Sequence, residues 1–369
     1  MSPQRRHLPP ELSDALALVA PGTELREGIE NIIRAHNGAL IVVAHPEKLE
    51  RLGLISGGMK MEIEFAPMRL YELAKMDGAI VVSPDIRVIH YANVQLSPDP
   101  TLESEETGMR HLAAHRTAQQ TGDLVIAVSE RRRVVSLYQG PYGPQVLEEI
   151  GVVLSKANSA VATLEKFTRT LREEAQVLTL HEYEGAVTLR EVVGAIGTFE
   201  YAVRIAEEIE AYVRELGSEG RLVEMQLEQA FHGIPEQYDA LLRDYVDEGV
   251  DCREVKDQLR TFTPEQLSDP VEISQLLGYG SVGQTEDFFL KPRGYRQLGR
   301  VPRLPRKVAE SLIREFGSLE GLLEATEEEL DEVEGVGQAR ARAIQRGLER
   351  QKRLEATGEM SQDRIGGSA

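Results

Sequence analysis

Two short segments of this sequence carry residue types suited to holding a phosphorylated nucleotide. Asp77-Gly78-Ala79 opens the apolar run Ala79-Ile80-Val81-Val82, and Glu106-Thr107-Gly108-Met109-Arg110-His111 leads into Ala113-Ala114-His115-Arg116. Between them lies Tyr91-Ala92-Asn93-Val94-Gln95-Leu96. A carboxylate at the mouth of a strand can hold a metal ion. Glycines let backbone N–H groups approach phosphate, and a helix start carrying an arginine adds positive charge. Taken singly, each segment has a plainer reading. Asp77-Gly78 is more often a turn before a strand, and Gly57-Gly58 a loop. His111 alone would read as a satisfied core or capping histidine. Arg131-Arg132-Arg133 alone would read as a solvated charge run, although it follows a strand where a phosphate clamp would sit. His115 and His181 have no metal-ligand spacing with other ligands and read as ordinary residues.

The elements that must position these residues follow from periodicity. Leu12, Leu16, Leu18, Leu25, Ile29 and Ile32-Ile33 predict helix over 11–36, stopped by Asn37-Gly38. Strands are predicted at 39–44, 78–83, 88–94, 124–129 and 134–138, the last ending at Gly140-Pro141. Ile55 to Met59 reads as a loop, and helices are expected at 67–74 and about 109–121. This is an α/β domain with a mixed sheet. From Gln145 the pattern turns helical, with Leu147, Ile150, Leu154, Ala157, Val161, Leu164, Thr168 and Leu171 along one stripe. A helical segment of about 130 residues follows, more spacer than catalytic domain, and a Gly- and Pro-rich boundary ends it.

The C-terminal segment has its own signal. Val301-Pro302-Arg303-Leu304-Pro305 leads into an amphipathic helix ending at Phe316-Gly317, and Glu320 to Glu334 reads as acidic helix. Gly335-Val336-Gly337 then opens a helix carrying Arg340, Arg342, Arg346 and Arg350. A glycine turn at a helix start directs amides toward one DNA phosphate without reading bases. The plainer reading is a simple helix–helix turn. The pattern looks like two helix-hairpin-helix motifs in tandem, with prolines replacing the usual glycines of the first. Candidate DNA contacts are Arg303, Arg306, Lys307, Gly335, Val336, Gly337, Arg340 and Arg342.

Composition narrows the class. A chain of 369 residues implies two or three domains. No apolar run approaches the roughly 18 residues of a membrane span, and Met1 to Pro10 lacks the apolar core of a signal peptide. Cys252 is the only cysteine, so neither an intrachain disulfide nor a thiolate metal cluster can form. These features point to the cytoplasm and away from a membrane. A net charge of −19 argues against a nucleic-acid-binding surface spread over the whole molecule, while leaving room for a local basic patch.

In their order, these segments resemble the DNA integrity scanning (DisA) family of bacterial diadenylate cyclases. The resemblance covers residues 5–353. It rests on Leu54-Ile55-Ser56-Gly57-Gly58, Asp77-Gly78-Ala79-Ile80, the Tyr91–Leu96 segment before Pro98-Asp99-Pro100, Glu106-Thr107-Gly108, Arg110-His111, Gln120-Thr121-Gly122 and Val128-Ser129-Glu130-Arg131-Arg132. The domain order matches as well: a cyclase domain over 1–144, an all-α spine over 145–291 and a tandem helix-hairpin-helix domain over 292–354, with 355–369 expected to be a disordered tail. The resemblance implies that two ATP molecules on facing cyclase domains condense to cyclic di-AMP with release of two pyrophosphates. Asp77, Arg110 and His111 would be catalytic, with Asp77 holding Mg²⁺ or Mn²⁺ and activating the hydroxyl. Gly78, Ala79 and Leu96 would frame the nucleotide. Met109, Arg110, His111, Leu112 and Ala113 would line it from the motif helix, and Ser129 with Arg131 or Arg132 would hold phosphate oxygens. A homo-octamer of two facing tetramers is implied, as are nucleoid association and sequence-independent binding of branched DNA such as Holliday junctions. Junction binding would slow the cyclase.

The chain departs from the family motif at one place. The family reads Thr-Gly-Thr-Arg-His-Arg-Thr-Ala-Glu-Arg, whereas this chain has Met109, Leu112, Ala113 and His115 at the third, sixth, seventh and ninth positions. One lost charged phosphate contact costs roughly 1.5–3 kcal/mol, or one to two decades of rate if felt fully in the transition state. Two readings therefore stand besides the active cyclase. One is a DNA-binding or nucleotide-sensing scaffold with a weakened or inactive cyclase domain. The other is a different nucleotidyl transferase using the same pocket. Arg116 or His115 taking over from the missing residues would favour the cyclase.

Overall fold

The computed structural model describes residues 10–280 and 288–357. The chain divides into two compact units, 1–159 with 209–225, and 160–208 with 226–369.

In the first unit, α1 (Pro10–Leu18) and α2 (Glu24–Arg34) precede β1 (Ala39–Val43) and α3 (Pro46–Arg51). Next come β2 (Ile55–Ser56), β3 (Met59–Glu64), α4 (Pro67–Leu73), β4 (Ala79–Val82) and β5 (Val88–Leu96). After α5 (Met109–Thr121) come β6 (Leu124–Ser129), β7 (Val134–Gln139) and β8 (Tyr142–Val146). The strands form one sheet in the order β2-β5-β4-β1-β6-β7-β8, with β3 also paired to β5. β1 runs parallel to β4 and antiparallel to β6, so the sheet is mixed.

Alternation along the central strands fills both faces. Ile41, Val43, Ile80, Val82, Ile126 and Val128 pack with residues of α1, α2 and α4 on one side. Leu40, Val42, Ala79, Val81, Val125 and Ala127 pack with Leu49, Ala114 and Ala118 on the other. Small residues at 114 and 118 let α5 lie close to the sheet.

Three expectations for the first unit need correction. The helix over 11–36 is two helices, because Pro21-Gly22 breaks the chain and Thr23 starts α2 by accepting the Arg26 N–H at 3.2 Å. The Ile55–Met59 loop is the turn between β2 and β3, with Gly57 and Gly58 both at positive φ. Gln145 begins no helix; it lies in β8, whose Gly143 and Pro144 hide the strand pattern and are tolerated because β8 is an edge strand.

Helices α6 (Ile150–Glu184), α7 (Leu189–Leu216) and α8 (Arg221–Phe231) follow, then α9 (Ile234–Tyr245), α10 (Cys252–Thr261), α11 (Pro264–Leu267) and α12 (Pro270–Leu276). The last five are α13 (Tyr295–Gly299), α14 (Arg306–Phe316), α15 (Leu319–Glu324), α16 (Glu327–Asp331) and α17 (Gln338–Thr357). The acidic stretch 320–334 is broken in two. Thr326 starts α16 with a capping box, its hydroxyl accepting the Glu329 N–H while the Glu329 carboxylate accepts the Thr326 N–H. Residues beyond 357, where a disordered tail is expected, lie outside the described residues. Among the described residues, no helix is long and apolar enough to cross a membrane.

Candidate nucleotide site and helix-hairpin-helix turns

Sheet topology alone brings the candidate residues to one edge. The starts of β1 and β4 lie at the same end because these strands are parallel. The ends of β5 and β6 reach that end because both run antiparallel to them, with Ala79 opposite Val94 and Ala39 opposite Val128. Asp77-Gly78, Leu96, Ser129 and the Arg131–Arg132 turn therefore share one sheet edge.

Gly78 has φ +94°, and a Cβ there would lie 2.8 Å from the Val94 carbonyl oxygen. Gly58 has φ +76°, and its Cβ would lie 2.7 Å from the Ala92 carbonyl oxygen and 2.8 Å from that of Asn93. Both glycines press on the same stretch of β5, where the register against β4 slips between Val94 and Tyr91. Asn93 sits in that bulge at φ +55°. An asparagine in the left-handed region and a bulge beside a candidate site are a recurrent combination. The motif Tyr91–Leu96 is thus a bulged strand clamped between two glycines.

Asp77 is exposed and makes no hydrogen bond or ion pair among the described residues. Ala79 is fully buried. Leu96 and Ala113 pack partly against the core beneath. Met109 stands 87% exposed at the start of α5, whose N-cap, Gly108, offers no side chain to the first amides. The Arg110 guanidinium lies against Gly38, in the space a Cβ there would occupy. Gly38, read from sequence only as a helix stop, is what lets Arg110 reach the start of β1. Ser129 accepts the Arg132 N–H through Oγ at 3.3 Å, and Arg131 and Arg132 are exposed in the β6–β7 turn.

His111 Nδ1 lies 3.1 Å from the Tyr138 hydroxyl, which donates to Glu106 Oε1 at 2.8 Å. Burial lowers the His111 pKa, Arg110 and Arg132 push the same way, and Glu106 opposes them. Burial and the bond to Glu106 hold the Tyr138 phenol well above its ordinary range. Sequence reasoning missed Tyr138, whose position inside an apolar strand gave no signal. His115 Nδ1 is 2.8 Å from Ser104 Oγ, and its ring stacks on Tyr138 at 5.5 Å. Arg116 Nε donates to the Leu102 carbonyl at 2.8 Å. Both side chains are tied to the 102–104 segment.

In the second unit, two hairpins share one core containing Leu298, Val301, Val308, Leu312, Val336, Ala341 and Ile344. Their turns match bond for bond. Leu304 N–H bonds to Val301 O and Val336 N–H to Val333 O. The N–H groups of Val308 and Ala309 bond to Pro305 O, and those of Arg340 and Ala341 to Gly337 O. Pro305 therefore stands where Gly337 does, and Arg303 where Gly335 does. Both of the latter have positive φ, +60° and +85°. Only one proline replaces a motif glycine; the other glycine position is taken by Arg303, not Pro302. Arg303 and Lys307 are exposed, and Arg306 Nε lies 3.5 Å from Glu310. In the second hairpin Val336 is buried, Arg340 folds back onto the Gly335 carbonyl, and Arg342 pairs with Glu327 at 3.1 Å.

The fold and its two sets of residues define a nucleotide-binding domain joined to a helix-hairpin-helix DNA-binding module. Family models agree segment by segment. Residues 26–142 match the DisA bacterial checkpoint controller nucleotide-binding domain, 147–286 its linker region, and 298–355 a helix-hairpin-helix motif. The chain is 44% identical to the DNA integrity scanning protein DisA of Clostridium tetani over 342 residues, 93% of this chain and 94% of that one. It is 44% identical to that of Bacillus subtilis over 92% of this chain and 94% of the other. Against that of Symbiobacterium thermophilum the identity is 45%, over 91% and 95%. The chain belongs to the DisA family.

Proposed function

We propose that this chain condenses two ATP molecules into cyclic di-AMP and binds branched DNA through its C-terminal hairpins. The observation that carries the first part is the shared sheet edge. It sets an exposed carboxylate, a glycine-lined bulge, an arginine against Gly38 and an arginine-bearing turn at one end of the sheet. Asp77 would hold a divalent cation. A single free carboxylate fits Mg²⁺, which keeps water and substrate phosphate in its shell, and no cluster of three or more His, Cys, Asp or Glu suited to a metal occurs among the described residues. When bound, the ion neutralises phosphate charge.

The chain's own residues position the rest. Gly78 and the Asn93 bulge leave backbone open to the nucleotide. Arg110, Ser129 and Arg131 or Arg132 hold phosphate oxygens. Each 3′-hydroxyl oxygen bonds to the facing α-phosphorus, and the bond from that phosphorus to the β-phosphate bridge breaks. Pyrophosphate leaves with the electron pair, and Asp77 assists removal of the hydroxyl proton. Two sites must face each other for the ring to close, so two protomers must meet there, as they would in the homo-octamer of paired tetramers that the family resemblance implies.

One observation favours the scaffold reading. Arg116 and His115 are bound to Leu102 and Ser104, so neither replaces the arginine and glutamate that the family motif has in this helix. One experiment separates the two. Purified chain with ATP and Mg²⁺ or Mn²⁺ should yield cyclic di-AMP by mass spectrometry, and Asp77→Asn should abolish it. Because Asp77 is exposed and unpartnered, its thermal midpoint should stay unchanged. Absence of product from a chain that still shifts a four-way junction would establish the scaffold.

A further inference from the structure

We infer that Tyr138 and Glu106 are positioning residues that fix the tautomer of His111, placing the proton on Nδ1 and leaving Nε2 as a bare acceptor. The functional consequence rests on the cyclase reading; the tautomer itself does not.

The place of the proton follows from a count of hydrogens. A phenol has one. The Tyr138 oxygen is 2.8 Å from Glu106 Oε1 and 3.1 Å from His111 Nδ1. An ionised carboxylate only accepts, so the phenol hydrogen goes to Glu106. Toward His111 the Tyr138 oxygen is then the acceptor, and Nδ1 must carry the proton. A neutral imidazole so fixed has no hydrogen on Nε2. Tyr138 is fully buried on β7, and Glu106 precedes α5, so the chain of bonds ties the first turn of the helix to the sheet. The charged and titratable groups facing this chain are Glu106, Arg110, Arg132 and, stacked on Tyr138, His115. His115 does not compete for the phenol, because Ser104 and Gln119 occupy its two nitrogens at 2.8 and 3.0 Å.

The tautomer decides what His111 can recognise. Phosphate oxygens only accept hydrogen bonds, and a bare Nε2 cannot serve them. Its partner is a hydrogen-bond donor, and the O–H donors of a metal-bound nucleotide are a ribose hydroxyl and a water held by the metal ion. Gly108 keeps this edge open: the nearest atom to a Cβ placed there is His111 Cδ2, at 3.6 Å.

The test uses ¹⁵N-histidine NMR of the full chain together with Glu106→Gln. The carboxamide keeps the shape of the carboxylate but donates to the Tyr138 oxygen, so the phenol hydrogen turns to His111 and the proton moves to Nε2. The unaltered chain should show the Nδ1–H signature and Glu106→Gln the Nε2–H signature. Cyclic di-AMP turnover should fall roughly a hundredfold, and ATP should bind more weakly. Tyr138→Phe, lacking the oxygen, should lose the tautomer preference. ATP affinity distinguishes the donor. Weakening by Glu106→Gln that persists in EDTA assigns a ribose hydroxyl, and weakening seen only with Mg²⁺ assigns bound water. An Nε2–H signature in the unaltered chain, or an Nδ1–H signature kept by both Glu106→Gln and Tyr138→Phe, overturns the inference. Failure of the unaltered chain to make product while it shows Nδ1–H overturns the cyclase reading alone.

Discussion

A methyl group added at Gly78 would meet the Val94 carbonyl oxygen at 2.8 Å and the Asn93 carbonyl carbon at 2.9 Å, on a backbone already at φ +94°. Neither obstacle is a flexible side-chain tip, so the strands would have to part. Gly78→Ala should therefore destabilise the first unit by about 1–3 kcal/mol, measured by thermal unfolding, and displace the neighbouring Asp77 from the sheet edge. Acid should weaken the same region. The His111 pKa is lowered by burial, so between that value and the ordinary one near 6.5 the unfolded chain binds the extra proton, and stability falls as pH drops below about 6.5. At this scale the sequence showed residue types well. Asp77, Gly78 and Arg110 become candidates only through the order of the segments that carry them. Gly38, Asn93 and Tyr138 do not, because each acts through a contact made across the sheet: a guanidinium on bare backbone, a bulge, and a buried hydroxyl.

Among elements, the two hairpins share a bonding pattern but offer a phosphate different groups. Pro305 has no N–H where Gly337 has one, and Arg303 projects a side chain where Gly335 has none. Arg340 and Arg342 are engaged within the second hairpin. The first hairpin thus presents side-chain charge and the second backbone amides. Arg303→Gly relieves a left-handed non-glycine residue, so its thermal midpoint should hold or rise while junction affinity drops and the salt slope shrinks by about one. Gly337→Pro, which copies Pro305 at φ −67°, should keep the fold and lower affinity with the salt slope unchanged. An equal change of slope in both variants would refute the division. Helices with long apolar stripes were plain in the sequence, as were strands with continuous apolar runs. Breaks at Pro21-Gly22 and at Thr326 were missed because apolar spacing continues through them, and β8 was missed because an edge strand needs little apolar content.

For the molecule as a whole, the question is whether DNA at the hairpins governs synthesis at the sheet edge, and truncation is the wrong tool for asking it. Glu182 on α6 is buried with Arg296, Gln297 and Tyr245, whose hydroxyl donates to it at 2.6 Å. Asp244 accepts the N–H groups of Gly294, Tyr295 and Arg296 at 2.6, 2.7 and 2.9 Å, capping α13. Removing the chain after Pro292 would strip Glu182 of two partners and leave a buried carboxylate short of charge compensation. Glu182→Ala shows the size of the effect: with Arg296 left buried and unpaired, the second unit should lose about 3–5 kcal/mol in urea unfolding. A truncated chain that lost activity would then report damage to the helical region, whatever the DNA does. The informative protein is the full chain carrying Arg303→Gly with Gly337→Pro, both at exposed positions that are not members of this buried cluster. It should make cyclic di-AMP at the unaltered rate without DNA. Four-way junction DNA should slow the unaltered chain and leave the double variant unaffected at the same concentration. Equal slowing of both proteins would mean that the hairpin turns are not the route by which DNA acts. A double variant slow even without DNA would mean that the turns support the cyclase independently of any ligand.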